Sequence, residues 1–196
     1  MTTWIFLILL VVIAFWVISA YNTLIALKGE TVNAWKQIDV QLKRRYDLIP
    51  NLVNAVRGAM EFEKETLEKV IQARNQAVQI QANASPAGGV QQLAQAEAAL
   101  GSALKGLSVV VERYPDLKAT GNVGQLQEEL TSTENKVAFA RQLYNDTATT
   151  YNVKQQQFPT NLVAGLARAE PAELWEIEDQ AERAVPKVDL SMKPKE

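Results

Sequence analysis

Between Trp4 and Leu27 the chain is almost wholly apolar: Trp4 to Ile18 carries no polar or charged residue, and Leu24-Ile25-Ala26-Leu27 prolongs the run past a mildly polar Ser19–Thr23 break. A helix needs about 20 mostly apolar residues to cross the hydrocarbon of a bilayer, and this stretch supplies them. Trp4 at one end, with Trp16 and Tyr21 toward the other, suits interfacial anchoring. The competing reading is a cleaved signal peptide, with Val17 and Ser19 placed for cleavage after Ser19. Met1-Thr2-Thr3 offers no positive charge ahead of the run, and the apolar stretch continues past that site, so a retained anchor over residues 1–27 is expected. No side-chain charge precedes the span, whereas Lys28, Lys36, Lys43, Arg44 and Arg45 follow it against only Glu30 and Asp39. The positive-inside rule then expects the following domain in the cytoplasm.

The remainder of the 196 residues has room for one domain with a substantial core. Its 20 basic and 22 acidic residues nearly balance, so no global field favours nucleic acid. Cysteine and histidine are both absent. That inventory excludes thiolate and Ser-His-Asp chemistry, disulfides, and the usual zinc ligand sets. No cofactor and no metal are expected.

Past the anchor, apolar residues recur at spacings of three and four. Trp35, Ile38, Leu42, Tyr46, Ile49, Val53, Val56 and Met60 form one stripe, continued by Leu67, Ile71 and Val78. Leu93, Ala96, Leu100, Leu104, Leu107, Val111 and Tyr114 form a second, and Leu126, Leu130, Thr133, Val137, Ala140, Tyr144, Ala148 and Tyr151 a third. Alternating strand patterns are missing. The expected fold is therefore all-α: an N-terminal transmembrane helix followed by an elongated antiparallel bundle of three to four helices with a coiled-coil seam. Ser85-Pro86-Ala87-Gly88-Gly89 and Tyr114-Pro115-Asp116 separate the helices, and Asn122 with Gln125 has the form of a capping box opening the third near Val123. Core helices over Asn51–Asn83 and Val123–Gln157 would each run about 50 Å. Pro50 should kink the chain near Asp47–Pro50, dividing a basic juxtamembrane helix (28–50) from the bundle (51–158). Residues 159–196 form an acidic extension, with a short helix expected over Pro171–Val185. From Glu170 to Glu196 the tail is net −4, with eight acidic and four basic residues, which suits either a solvated tail or docking on the net +3 segment Lys28–Arg45.

Three groups of side chains are candidate sites. Lys43, Arg44 and Arg45 are placed to contact anionic lipid or a partner, at about 1 kcal/mol per charge near a membrane surface. Trp35, Ile38, Leu42 and Tyr46 begin well before the other helices can cover them, and such a stripe suits self-association unless the far end of the last helix reaches back over it. Asp39, Asp47, Asn51, Glu134, Asn135, Arg141, Asn145 and Asp146 place polar groups beside the core stripes, where they would fix helix register, with Asp47 capping the helix beyond the kink. Catalysis would need paired carboxylates in a cleft, such as Glu128 with Glu134, or Asp146. A rod of antiparallel helices offers no such cleft, so no enzyme is expected.

Four ordered motifs carry a resemblance. Ile38–Arg45 with Asp47–Val53, Tyr114–Ala119, Thr133–Asn135 with Ala138–Asp146, and Phe158-Pro159 with Asn161 make the sequence similar to the LemA family over about Tyr21 to Leu162. The resemblance implies a single-pass protein of the bacterial inner membrane with a helical-bundle domain and no established catalytic activity. It also implies association with a heat-shock membrane metalloprotease and kinship to a protein of magnetosome membrane formation. After Asn161 the motifs cease, so the acidic extension inherits no role. The reading that results is a membrane-anchored scaffold that contacts lipid, forms homo-oligomers and organises or shapes the membrane; the alternative is an adaptor or regulator of that protease.

Overall fold

The computed structural model describes residues 2–58, 63–115 and 121–176. It is all-α, with α1 Thr2–Arg57, α2 Lys64–Gln81, α3 Val90–Val111, α4 Gly121–Gln156 and a single turn, α5 Asn161–Ala164. No strand occurs among the described residues, and one isolated bridge, Ser85 to Gly88, closes the α2–α3 hairpin.

One helix carries both the apolar run and part of the core. The buried residues of α1 follow a heptad through Leu24, Thr31, Ile38, Arg45 and Leu52 and a second through Trp35, Leu42, Ile49 and Val56. That period keeps one stripe facing its neighbours over the whole length. The stripe starts inside the apolar run, and α1 crosses the boundaries expected after residues 27 and 50 without a break. Toward the N-terminus of Trp16 every described residue is exposed, which suits a lipid environment.

Pro50 lies within α1 because its missing hydrogen bond is replaced. A proline amide cannot donate to the carbonyl four residues back, which here is Tyr46. Arg74 Nε of α2 donates to that carbonyl at 3.2 Å. The proline ring itself is exposed.

The long helix expected over Asn51–Asn83 is instead two. α1 ends at Arg57, Gly58 forms a turn, and α2 starts at Lys64 with Thr66 and Leu67 amides on the Glu63 carbonyl. Glycine at Gly58 weakens a helix by about 1 kcal/mol against alanine, whereas the apolar period continues across it and hides the break. Met60 lies outside the described residues. α2 folds back along α1, with Gln81 Nε2 reaching the Asp39 carboxylate at 3.2 Å and Arg74 reaching Tyr46. α2 turns into α3 at Ser85–Gly89, where Ser85 and Gly88 exchange backbone hydrogen bonds of 2.9 and 3.0 Å. Gly89 has φ 84°, and a Cβ there would stand 3.2 Å from Ala84 Cα, so glycine is required.

α4 runs antiparallel to α1 along most of its C-terminal half and makes the largest helix contact, while α2 and α3 form the second pair. Trp35 meets Tyr144 edge to face at 5.3 Å between centroids. The buried core gathers α1, α2, α3 and α4 around Leu42, Ile49, Leu93, Leu100, Val137 and Tyr144. The stripe Trp35, Ile38, Leu42 and Tyr46 is thus interior, at 4, 0, 0 and 3 % exposed, so it is not an association surface. α4 is long enough to reach back over it, and α3 covers the other side.

Beyond α4 the chain turns at Phe158 and a cis Pro159, forms α5, and passes through Arg168 at φ 45° into an extended strap over 169–176. The helix expected at Pro171 does not start within the strap. Residues 177–196, and with them most of the acidic tail and its expected docking, lie outside the described residues, as does most of the Tyr114–Ala119 motif.

The Pro50 arrangement makes a quantitative expectation. Arg74→Ala should lower unfolding stability by roughly 1–2 kcal/mol, leaving the Tyr46 carbonyl short of a donor. In a Pro50→Ala background, where residue 50 regains its amide, the same replacement should cost clearly less. Equal costs in both backgrounds, read by denaturant titration, would show that Arg74 does not compensate the proline.

Candidate functional site

Among the described residues Glu97 is the most deeply buried charge, with a side chain 0 % exposed. It lies on the apolar face of α3, between Leu93 and Leu100. A lone carboxylate there would be strongly unfavourable, and it persists only if fully partnered. Arg45 Nη1 donates to Oε2 at 2.9 Å, Tyr46 Oη donates to Oε1 at 2.6 Å, and Arg141 Nη2 donates to Oε2 at 3.4 Å. Three donors from α1 and α4 therefore converge on one acceptor from α3. Burial, then the adjacent Glu97 charge, pushes the Tyr46 phenol far above its ordinary range, so it stays a donor. Burial pulls Arg141 below its usual value, opposed by the Glu97 carboxylate. The second guanidinium is in excess of the single carboxylate, and it is steadied by the face of Trp175 at 4.3 Å.

Trp175 arrives on the strap, whose register two asparagines set. Asn145 donates to the Trp175 carbonyl at 2.9 Å and accepts its amide at 2.8 Å. Asn152 does the same for Ala172, at 2.8 and 2.7 Å. Seven helical residues rise about 10.5 Å, and three extended residues span about 10 Å, so the heptad of α4 matches the strap. Tyr144 Oη donates to the Glu173 carbonyl at 2.6 Å; burial, then Glu173, raises that phenol's pKa. The Glu173 carboxylate accepts the Val90 and Gln91 amides at 3.0 and 3.2 Å. It caps the N-terminus of α3, where the preceding Gly89 has no side chain to do so.

The residues singled out from sequence divide accordingly. Arg141 and Asn145 join the interior polar network, and Asp39 binds Gln81, with burial raising its carboxyl above 3.8. Asp47, Asn51, Glu134, Asn135 and Asp146 are exposed, and Asp47 lies inside α1 and caps nothing. Arg45, grouped with Lys43 and Arg44 as a lipid contact, is 4 % exposed and committed to Glu97. Lys43 and Arg44 are exposed, Arg44 standing 3.9 Å from Glu129 in a pair that contributes little. Glu97, Glu173, Asn152 and Arg74 went unnoticed in the sequence.

With three donors converging on it and no solvent access, Glu97 is a structural acceptor, not a general base. Among the described residues no three acidic side chains gather as metal ligands would. A groove of about 800 Å³ lies open between α1 and α4, on the bare side of that pair. Lys36, Gln37, Val40 and Gln41 line one wall, and Glu128, Thr131, Ser132, Asn135, Lys136, Phe139 and Ala140 the other. Val40 is 63 % and Phe139 69 % exposed at its centre.

A single long helix that is apolar enough to cross a membrane, and whose other half is built into a bundle closed by a strap, defines a membrane-associated helical protein. The LemA family profile matches residues 34–190, and the chain belongs to the LemA family. The match includes the strap, so the family character extends past Asn161, where the sequence motifs stop. The protein LemA of Metamycoplasma hominis is 32% identical over 144 residues, 73% of this chain and 63% of that protein. Magnetosome protein MamQ 2 of Paramagnetospirillum magneticum is 26% identical over 172 residues, 76% of this chain and 63% of that protein. MamQ of Magnetospirillum gryphiswaldense is 22% identical over the same length and shares. The chain thus spans about 63% of the length of these relatives.

Glu97→Ala, which strands two guanidinium groups in the core, should cost about 3–5 kcal/mol. Tyr46→Phe, which removes one hydrogen bond to a charged group, should cost about 1.5–3 kcal/mol. Thermal and denaturant unfolding followed by circular dichroism measures both; a loss under about 1 kcal/mol for Glu97→Ala would contradict the convergence described.

Proposed function

We propose that the chain is a membrane-anchored, non-catalytic scaffold that self-associates through the groove between α1 and α4 and thereby organises the membrane that holds it. The exposed Val40–Phe139 pair in that groove carries the reading. A large apolar surface ringed by polar groups marks an association site. Because α1 is continuous from the apolar run to Arg57, every copy holds the groove at one height above the bilayer. Copies tethered with parallel axes meet groove to groove at raised local concentration. The rim carries both signs, Lys36 and Lys136 against Glu128, which suits a two-fold contact where each residue meets its counterpart's complement. Lys28, Lys36, Lys43 and Arg44 flank the span on the bundle side, which supports a bacterial inner membrane with the bundle in the cytoplasm. They also support contact with anionic lipid. The kinship with proteins named for the magnetosome fits a role on a membrane. A membrane heat-shock metalloprotease regulated or supplied by this adaptor would occupy the same groove from a different chain.

The test is the particle mass of the full-length protein in lipid nanodiscs, by light scattering or mass photometry. The wild type should form a dimer or larger assembly, and Val40→Lys with Phe139→Lys should reduce it to a monomer with helix content unchanged. A wild type that is monomeric in lipid rejects self-association and leaves the adaptor reading.

A further inference from the structure

Phe158, Leu162 and Leu166 are 80, 67 and 72 % exposed, among the most exposed large apolar side chains of the bundle. Their spacing of four puts them on one face of the turns that run from Pro159 to Arg168. The opposite face is buried: Thr160, Val163 and Ala167 are 6, 2 and 7 % exposed. α5 packs on α1. The antiparallel register that sets Tyr144 beside Trp35, and Tyr151 in a pocket with Lys28 and Thr31, brings the chain beyond Gln156 alongside Ala20 and Leu24. Those two residues are buried, at 7 and 1 %, although both belong to the apolar run.

We propose that Phe158, Leu162 and Leu166 form a second membrane contact, dipping into the same leaflet from which α1 emerges. This rests on α1 crossing the bilayer, as proposed above. Leu24 and Ala20 lie three and seven residues before Leu27, or about 5 and 10 Å below the end of the span at 1.5 Å per residue. That is the depth, about 5–10 Å, at which interfacial helices bury their apolar faces. Charge fits as well: no acidic residue occurs from Gln155 to Ala169, while Lys154, Arg168 and Lys28 stand at the level of the head groups. The chain would thus hold the bilayer at two points, a span and a wedge, and the wedge would stop the bundle from tilting about α1. The strap that begins at Ala169 would start at the membrane surface and end on Trp175 in the core.

The absence of cysteine makes the test clean. Single substitutions Leu162→Cys, Ile13→Cys and Thr150→Cys in the full-length protein, each labelled with an environment-sensitive fluorophore, are reconstituted in vesicles of phosphatidylcholine and phosphatidylglycerol. Quenching is compared between nitroxides fixed at shallow and deep positions of the lipid chains and iodide in the water. The Leu162 label should be quenched several-fold more by the shallow lipid nitroxide than the Thr150 label, and be protected from iodide. Iodide quenching of Leu162 equal to Thr150, or protection without lipid quenching (the mark of a protein partner), would overturn the proposal while Ile13 still reports a lipid-embedded span. An Ile13 label that no lipid nitroxide reaches would overturn the anchor and this inference together.

Discussion

The buried carboxylate of Glu97 decides how the helices sit. Apolar stripes with heptad period allow neighbouring helices to slide by a turn or to exchange partners at modest cost, because leucines and valines fit many holes. A charge in the core does not permit this. Once Glu97 is taken from water, it must find donors, and the fold supplies Arg45, Tyr46 and Arg141 from two other helices. Every register but one leaves a charge unpaired, and an unpaired buried charge costs more than any of the apolar contacts gains. The polar node thus specifies the alignment of α1, α3 and α4, while the surrounding residues supply the bulk of the stability.

Two of those donors, Arg45 and Tyr46, are adjacent on α1, and α1 also carries the apolar run that is long enough to cross a membrane. Alignment in the core is therefore transmitted to the apolar run through an unbroken helix, with Arg74 replacing the hydrogen bond that Pro50 removes from that helix. The strap closes the system from the other side. It leaves the neighbourhood of Ala20 and Leu24, follows the asparagine ladder of α4, caps α3 through Glu173, and lays Trp175 over Arg141. The same segment thereby covers the excess guanidinium that the carboxylate leaves over.

Much of this was legible in the residues. The long apolar N-terminal helix is plain in composition, and the all-α character, the antiparallel arrangement and the last long helix follow from apolar periodicity, because burial imposes that period directly. The interior polar site was only partly legible. Arg141 and Asn145 stand out because they flank a stripe, whereas Glu97 lies within one: a single charged residue among Leu93, Ala96 and Leu100 is a signal, but the apolar period around it masks it. The strap had no periodic signal at all, since its hydrogen bonds go to the side chains of Asn145 and Asn152 rather than to a partner strand. Its Pro171 and acidic residues instead suggested a helix start. Arg45 was misplaced because a run of three basic residues looks uniform in sequence, while on a helix the third turns inward. Trp35, Ile38, Leu42 and Tyr46 seemed uncovered because Gly58, which folds α2 back, sits where the apolar phase runs on undisturbed.

The central claim is that span and bundle are one rigid body joined by α1. Hydrogen exchange of the full-length protein in lipid nanodiscs, resolved to amides between Leu24 and Ile49, measures this directly, because local hinges exchange by local openings and a rigid element only by global ones. The account predicts that amides from Leu24 through Ile38 exchange as slowly as those of the core around Leu42 and Ile49, including those at Lys28–Thr31 just beyond the apolar run. Fast exchange confined to Lys28–Thr31, beside a protected bundle, would show a hinge there and contradict the account.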